Sequence, residues 1–332
     1  MKKKKKTAWY IRLRLISQTF FVLLFLALFL QTAFHVGSVP GPGVDLFFHL
    51  DPLALLSVWI SGHPVSAGML LALIWVAITI VFGRWFCGWF CPFGALHNLF
   101  GSWRGGKVKA KIAEGDFSRW QHAKYLVLLA VVVSSLVGAN LAGWFDPFSY
   151  LFRSLTMSIY PAVNVGLDQL FGWLYGHNVT VAEPVYRWLH FHLLTVSSPR
   201  YLWSMMFGAL FGVIIVLNFF RLRFWCKYIC PLGALLGVFG KNPLLRLTVD
   251  PARCTDCGLC VTECQGAASP NHQGADWKPT ECMYCLNCQE SCSTSHAISF
   301  RFAVPGGAIG AEKKQKLVQV APAAAHNHEE EK

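Results

Sequence analysis

One pattern occurs twice in the sequence, as GRWFCGWFCPFGALHNLFG at Gly83–Gly101 and as RFWCKYICPLGALLGVFG at Arg223–Gly240. Each copy places a C-x3-C-P motif at the end of an apolar segment and follows it with Gly-Ala-Leu. The similarity extends upstream, because each half also contains an Asp-Pro loop, DPLALL at Asp51–Leu56 and DPFSYL at Asp146–Leu151. This order indicates two helical hairpins of common ancestry that have the same orientation.

The apolar residues collect into blocks of membrane-spanning length. Hydrophobic residues fill 54% of the 332 positions and charged residues only 14%, whereas an average soluble domain has about 25% charged residues. A helix needs about 20 apolar residues to cross the roughly 30 Å hydrocarbon core of a bilayer. We therefore expect a membrane α-helical bundle of about four transmembrane helices within residues 15–240. The predicted spans are residues 15–34, 67–86, 125–145 and 201–220.

Lysines and arginines alternate between dense and sparse loops. Residues 1–14, a basic N-terminus, hold seven, whereas residues 35–66 hold none and residues 146–200 only three. Because basic loops stay in the cytoplasm, both termini and all cysteines are predicted on the cytoplasmic side of a bacterial inner membrane. The net charge of +12 is explained by these membrane boundaries, where anionic lipid attracts basic residues. The pattern therefore gives no support for a nucleic-acid partner.

The outer loop at residues 146–200 is rich in aromatic residues and is interrupted by Pro161 and Pro184. Two interpretations stay open: two interfacial helices in the headgroup region, or a further pair of short spans. Four residues near the outer interface are candidates for a quinone-head site, although polar residues at the membrane surface are the simpler interpretation. They are His49, Asp51, Asp146 and Arg153.

Eight cysteines form two runs with the spacing C-x2-C-x2-C-x3-C. In this pattern the first three cysteines of a run hold one four-iron cluster and the fourth reaches the other cluster. Zinc also takes four thiolates, but zinc ribbons use two C-x2-C pairs and do not need the additional cysteines. Cytosolic thiols stay reduced, so a disulfide framework is not expected. The predicted ligands are Cys254, Cys257, Cys260 and Cys292 for cluster one, and Cys282, Cys285, Cys288 and Cys264 for cluster two.

The C-x3-C-P motifs contain the other four cysteines. The two cysteines of each pair share one face of a helix, which Pro92 and Pro231 are then expected to interrupt. The pairs are either small buried residues at helix ends, dithiol/disulfide switches, or a further metal centre that uses all four sulfurs. If the two hairpins pack about a pseudo-twofold axis, the four sulfurs meet at the cytoplasmic end of the bundle. These candidate redox or metal-binding residues are Cys87, Cys91, Cys226 and Cys230.

The combination of motifs resembles a known family. Residues 241–303 look like the bacterial two-cluster ferredoxin fold, an α+β unit, except that Gln265 and Ser293 replace the proline after the fourth cysteine. The spans, the C-x3-C-P motifs and this domain together resemble the NapH-type membrane ferredoxins, the membrane components of quinol dehydrogenase systems, over residues ~10–303. Residues 304–332 have little to bury and are expected to be disordered.

The resemblance implies a membrane-anchored electron-transfer subunit. It would exchange electrons between the quinone pool and partner redox proteins, cytochromes or iron–sulfur proteins, through two [4Fe–4S] clusters. It would act as the redox subunit of a quinol-linked oxidoreductase complex, and the sequence identifies neither catalytic residues nor a quinone site. The alternative is a maturation factor that reduces a metal or a thiol during assembly of a respiratory enzyme. A transporter is disfavoured, because no charged residue lies at the middle of a span.

Overall fold

The computed structural model describes residues 8–34, 45–102, 115–177, 182–192, 203–270, 274, 276–292 and 297–302, and the predicted tail at 304–332 lies outside them. The described part is mostly helical, with one two-stranded sheet near its C-terminal end. The α-helices are α1 (Trp9–Phe34), α2 (Asp45–His49), α3 (Pro52–Ile60), α4 (Ala72–Phe82), α5 (Trp85–Trp89), α6 (Pro92–Ser102), α7 (Ala123–Leu136), α8 (Ala142–Phe145), α9 (Pro147–Ser154), α10 (Tyr160–Gly176), α11 (Ala182–His192), α12 (Ser204–Phe220), α13 (Phe224–Tyr228), α14 (Pro231–Phe239), α15 (Leu259–Thr262) and α16 (Asn287–Ser291). The strands are β1 (Leu245–Val249) and β2 (Ile298–Phe302).

One helix in the described part is long and apolar enough by itself to cross a membrane, and it occupies Trp9–Thr32. Two other predicted spans correspond to shorter apolar helices, Ala67–Phe82 and Ser204–Phe220. The predicted span at residues 125–145 is divided, because α7 ends at Leu136 and α8 begins at Ala142. The largely helical character is therefore confirmed, and the number of four spans stays a prediction.

Gly138 explains why the third predicted span is divided. Its φ of +78° lies in the left-handed region, which favours glycine. The N–H of Gly138 donates to the carbonyl of Ser135, and the N–H of Ala139 donates to that of Ser134. This pair of bonds is a Schellman motif, which satisfies the last carbonyls of a helix and stops it.

The outer loop differs from its prediction, because Pro161 does not break it. Helix α9, a π-helical turn at Leu155–Ile159 and helix α10 follow one another without an intervening loop. The π-turn lies directly before Pro161, where the missing proline N–H removes one helical hydrogen bond. Pro184 lies in the first turn of α11, where a proline is tolerated because that N–H has no intrahelical partner.

The two C-x3-C-P motifs have matching backbones. A short helix carries the first cysteine of each motif, α5 with Cys87 and α13 with Cys226. Each proline then occupies the first position of the next helix, α6 or α14. The helix is interrupted before each proline as expected, and proline begins a new helix there, as its fixed φ favours. The expectation that both cysteines of a pair share one helix face was wrong, because the second cysteine lies outside the first short helix.

A small α+β unit follows the second motif. Strands β1 and β2 pair antiparallel, with Leu245 opposite Phe302 and Val249 opposite Ile298. Helices α15 and α16 lie within the two cysteine runs, between the strands in sequence. The runs are thus held by the same short-strand, short-helix arrangement that the resemblance to a two-cluster ferredoxin predicts.

Candidate iron–sulfur and four-cysteine sites

The two cysteine runs have positive φ angles at equivalent positions. In the first run Asp256 and Gly258 have positive φ, and in the second Tyr284 and Leu286 occupy the equivalent positions with φ of 50° and 61°. A left-handed conformation costs a non-glycine residue roughly 1–2 kcal/mol. These positive φ angles turn the C-x2-C-x2-C segments into tight loops in both runs. Backbone strain of this kind is found mainly at functional sites.

The ligands predicted for cluster two lie together. Every pair among these four thiols interacts electrostatically, including each pair that contains Cys264 from the first run. The same four line one internal cavity, together with apolar residues such as Met283 and Trp277. Burial raises the pKa of Cys264 to about 11 and that of Cys282 to about 12, so a metal would have to displace their protons. The four residues are Cys264, Cys282, Cys285 and Cys288.

The ligands predicted for cluster one come from both runs in the same way. Cys260 interacts electrostatically with Cys257 and Cys254. Cys260 and Cys292 pack against one small core that contains Leu247 of β1. Cys264 thus lies beside the cysteines of the second run, and the assignment of Cys292 to cluster one stays a prediction.

The four cysteines of the C-x3-C-P motifs form one buried group. Their exposed fractions are 5–8%, and all four belong to the main hydrophobic core. Every pair among the four thiols interacts electrostatically. Burial raises the pKa of three of these thiols above the ordinary value, and the neighbouring thiols raise it further. The structure therefore brings together Cys87, Cys91, Cys226 and Cys230.

The second cysteine of each motif occupies the N-terminus of a helix. The backbone N–H of Gly94 donates to Cys91 Sγ at 3.4 Å, and that of Gly233 donates to Cys230 Sγ at 3.3 Å. A helix N-terminus carries partial positive charge and lowers the free energy of a thiolate placed there. Both copies thus present a sulfur in a position that favours its deprotonated form.

Each repeat contributes one arginine whose side chain lies against the motif of the other repeat. Arg84, which precedes the first motif, lies so close to the second that a Cβ atom on Gly233 would be 2.7 Å from its Nη2. Arg223, which precedes the second motif, donates to the carbonyl of Cys87 at 3.0 Å. Both side chains are fully buried, and Nε and Nη2 of each have no hydrogen-bond partner. The two guanidinium groups therefore leave donors for an anion beside the four sulfurs.

One carboxylate joins the α+β unit to the helices. Glu281, the residue before Cys282, accepts hydrogen bonds from Arg84 at 3.2 Å and from Lys124. All three side chains are at most 1% exposed. Burial lowers the pKa of Lys124 to about 8, the charge of Arg84 lowers it too, and Glu281 opposes both. One negative charge is thus shared by two buried cations.

The loop between Cys282 and Cys285 lies directly on the first C-x3-C-P motif. The carbonyl of Tyr284 accepts from Trp89 Nε1 at 3.0 Å, and that of Cys285 accepts from Arg14 Nη1 at 2.7 Å. A Cβ atom on Gly88 would lie 2.2 Å from the carbonyl oxygen of Met283. The position equivalent to Gly88 in the second copy is Lys227, so the repeat departs from its symmetry where the cluster-two loop makes contact.

Replacement of Gly88 by alanine is expected to weaken this contact. The added methyl group would meet backbone, which cannot rotate away, so we expect a loss of about 1–3 kcal/mol from overpacking. Thermal unfolding in detergent is the measurement. The matched control is Gly172→Ala in α10, where a Cβ atom meets nothing within 4 Å and alanine should stabilise the helix by about 0.5–1 kcal/mol. Equal changes in both variants would contradict the contact.

Asp51 and Asp146, expected at the surface, are buried and lie beside each other. Asp51 Oδ1 accepts from the N–H of Leu53 at 2.9 Å, and Asp146 Oδ2 accepts from the N–H of Ser149 at 2.8 Å. Burial raises the pKa of Asp51 well above its ordinary value, and the carboxyl group of Asp146 raises it further. Each Asp-Pro step begins a helix, with the aspartate as its N-cap, and was expected to be a loop. The predicted surface position was also wrong, because both carboxyl groups are buried.

The other two candidates for the outer quinone-head site have their own contacts. The ring of His49 lies 3.3 Å from the position of a Cβ atom on Gly68. The guanidinium group of Arg153 lies 5.4 Å from the centroid of the Trp144 ring.

The described cysteines are not arranged for a single metal ion. Among the described residues, no three His, Cys, Asp or Glu side chains form a group that could hold one ion. Four thiolates around one zinc ion each lie about 2.3 Å from it, whereas a four-iron cube spreads its ligands over four corners.

The charged residues of these sites were not predicted from the sequence. Arg84, Lys124 and Arg223 lie in the basic segments that indicate the cytoplasmic side, and no predicted ligand set includes Glu281. One signal was present: an arginine stands three residues before the first cysteine in both copies. Glu281 lies far from its two partners in sequence, so no local pattern indicates the pairing.

Models of two families match the chain. The family described as "4Fe-4S binding domain" matches residues 66–111 and 202–248, and the family described as "4Fe-4S dicluster domain" matches residues 246–293. Each match to the first family contains one C-x3-C-P motif and no other cysteine. The match to the second contains both long cysteine runs.

Several characterised and uncharacterised proteins are similar in sequence. An uncharacterised protein of Methanocaldococcus jannaschii is 24% identical over 81% of this chain and 84% of its own length. The ferredoxin-type protein NapH of Escherichia coli is 25% identical over 73% of this chain and 71% of its own length. The regulatory protein NosR of Pseudomonas aeruginosa is 28% identical over 73% of this chain, which spans only 30% of NosR.

The alignments with YccM of Escherichia coli and NirI of Paracoccus denitrificans likewise span only 57% and 26% of those proteins. No solved structure matches the chain. The resemblance to the NapH-type ferredoxins is confirmed: the chain is a homologue of the proteins named NapH, NosR, NirI and YccM, and it carries 4Fe-4S binding domains.

Proposed function

We propose that this chain is a membrane-anchored electron-transfer subunit that exchanges electrons between the quinone pool and partner redox proteins through two [4Fe–4S] clusters. The observation that carries the proposal is the position of the cluster-two ligands directly on the C-x3-C-P repeat. Arg14 and Trp89 of the helical part donate to carbonyls in the loop between Cys282 and Cys285. An electron at cluster two would therefore have a hydrogen-bonded connection to the membrane part.

The eight cysteines of the two long runs would hold the clusters. Cluster one would use Cys254, Cys257, Cys260 and Cys292, and cluster two Cys264, Cys282, Cys285 and Cys288. The homologue NapH is named a ferredoxin-type protein, which supports a ferredoxin-like role here. In this proposal, quinone or another subunit carries the electrons across the membrane.

Reduction by a quinol tests this function. Protein purified under anaerobic conditions should contain at least eight iron atoms per chain, and a quinol analogue should produce the EPR signals of reduced clusters. Dithionite serves as the control, because it reduces the clusters without a quinone site. Clusters that dithionite reduces and quinol does not would contradict the quinone role and favour the maturation factor, which reduces a metal or a thiol during assembly.

The orientation proposed for the chain places both termini and all cysteines in the cytoplasm. It is supported by the distribution of Lys and Arg and by the buried contact of the N-terminal helix with the cluster-two loop, through Arg14. In intact cells, a thiol reagent that cannot cross the membrane should label none of the cysteines. After permeabilisation and unfolding, the same reagent should label them. Labelling of Cys87 or Cys226 in intact cells would reverse the topology.

A further inference from the structure

The charges around the C-x3-C-P cysteines require a buried anion. Arg84 and Lys124 share the single carboxylate of Glu281, and Arg223 has no carboxylate partner among the described residues. Arg84, Lys124 and Arg223 thus face the single carboxylate of Glu281 at positions that are at most 1% exposed. Lys227 is equally buried but interacts with Cys264, a ligand predicted for cluster two. An unpaired buried charge is costly unless an opposite charge lies nearby. The remaining negative charge has to come from the sulfurs.

A metal–thiolate centre supplies that charge, and the other two interpretations of the pairs do not. Four thiolates around a core of charge +2 carry a net charge of about −2, which matches the two cations in excess. Two dithiols or two disulfides are neutral and would leave the one carboxylate of Glu281 to compensate Arg84, Lys124 and Arg223. The N–H groups of Gly94 and Gly233, which donate to the sulfurs of Cys91 and Cys230, favour thiolates as well.

The composition of each repeat distinguishes a cluster from zinc. A family described as a 4Fe-4S binding domain matches each copy separately, but each matched segment holds only two cysteines. A four-iron cluster takes four thiolates, so one copy cannot hold it alone. The two copies together provide four sulfurs in one buried group, which is the number of thiolates that a four-iron cluster takes.

We propose that Cys87, Cys91, Cys226 and Cys230 together hold a third [4Fe–4S] cluster, for which Arg84 and Arg223 are the buried countercharges. The site lies between the helical part and cluster two, because Arg223 contacts both the carbonyl of Cys87 and the sulfur of Met283. Its role as an electron relay rests on the function proposed above. Its presence rests on the four cysteines and the two arginines alone.

Iron content tests the presence of the cluster. The full chain, purified without oxygen, should contain about twelve iron and twelve sulfide atoms, because three clusters of four are expected. The variant Cys91→Ala/Cys230→Ala should lose about four iron atoms and keep the EPR signals of the two ferredoxin clusters. Eight iron atoms after chemical reconstitution, one zinc ion per chain, or intramolecular disulfides among these cysteines under anaerobic conditions would each overturn the proposal.

A second variant tests the arginines and does not depend on how the cysteine variant folds. Arg223→Gln removes one positive charge next to the cluster and should lower the midpoint potential of the third EPR signal, because the reduced cluster is more negative. Arg223→Lys keeps the charge and should restore most of the potential. Equal potentials in wild type, Gln and Lys variants would overturn the role of countercharge. Twelve iron atoms without reduction by quinol would leave the site in place and refute only the proposed function.

Discussion

Replacement of Cys264 by alanine is expected to remove the cluster held by the second cysteine run, although Cys264 belongs to the first. Its thiol interacts with Cys282, Cys285 and Cys288. With only three thiolates left, cluster two should lose its iron or decay to a three-iron form on purification. EPR and iron quantitation measure the loss, which is about four iron atoms per chain if the cluster is lost and about one if a three-iron form remains.

The reciprocal variant is Cys292→Ala. It removes the fourth cysteine of the second run, which packs with Cys260, and should eliminate cluster one while cluster two persists. The two clusters are distinguishable because cluster two alone lies near Arg14: Arg14→Gln should shift the potential of the signal that Cys292→Ala retains. If Cys264→Ala instead removed the signal that is insensitive to Arg14, each run would ligate its own cluster.

Glu281→Gln is expected to give the largest loss of stability. The change leaves Arg84 and Lys124 buried without a carboxylate, and removal of one partner from a buried ion pair costs about 3–5 kcal/mol. The loss of stability is measured by heating the protein in detergent and recording the temperature at which the cluster absorption disappears as the α+β unit unfolds. Because burial lowers the pKa of Lys124 to about 8, the loss should be largest at lower pH and shrink as pH rises and the lysine gives up its proton.

Two comparisons make this test specific. Glu183→Gln removes an exposed ion pair with Arg187, and such a pair contributes only about 0.3–0.5 kcal/mol. Lys124→Met combined with Glu281→Gln removes both a positive and a negative charge, so part of the stability should return. A double variant that is less stable than Glu281→Gln alone would show that the carboxylate does not act through Lys124.

Much of the site follows from short-range sequence patterns. The cysteine spacing predicted that the fourth thiol of each run joins the other run, because the pattern itself encodes which sulfurs share a cluster. The internal repeat predicted that Cys87, Cys91, Cys226 and Cys230 would come together, because two equivalent hairpins bring equivalent positions close. These inferences need no knowledge of how distant side chains pack.

Other features depend on tertiary packing and are not readable from composition. Hydropathy joined residues 125–145 into one span, but the backbone bonds at Gly138 end the helix. Proline content suggested a break at Pro161, but a π-helical turn accommodates it. The Asp-Pro steps are polar in sequence, yet Asp51 is 0% exposed, because each carboxylate satisfies a helix N-terminus at the junction of the two halves.

The pairing of Glu281 with Arg84 has a consequence for how the protein is made. The two residues are 197 positions apart, and a ribosome adds about 5–20 residues per second. Arg84 therefore leaves the ribosome roughly 10–40 s before Glu281, its counterion. During that interval neither Arg84 nor Lys124 can be buried at low cost. The segments that carry them would stay hydrated until the α+β unit is synthesised, so translation of Glu281 sets the time at which the helical part can close.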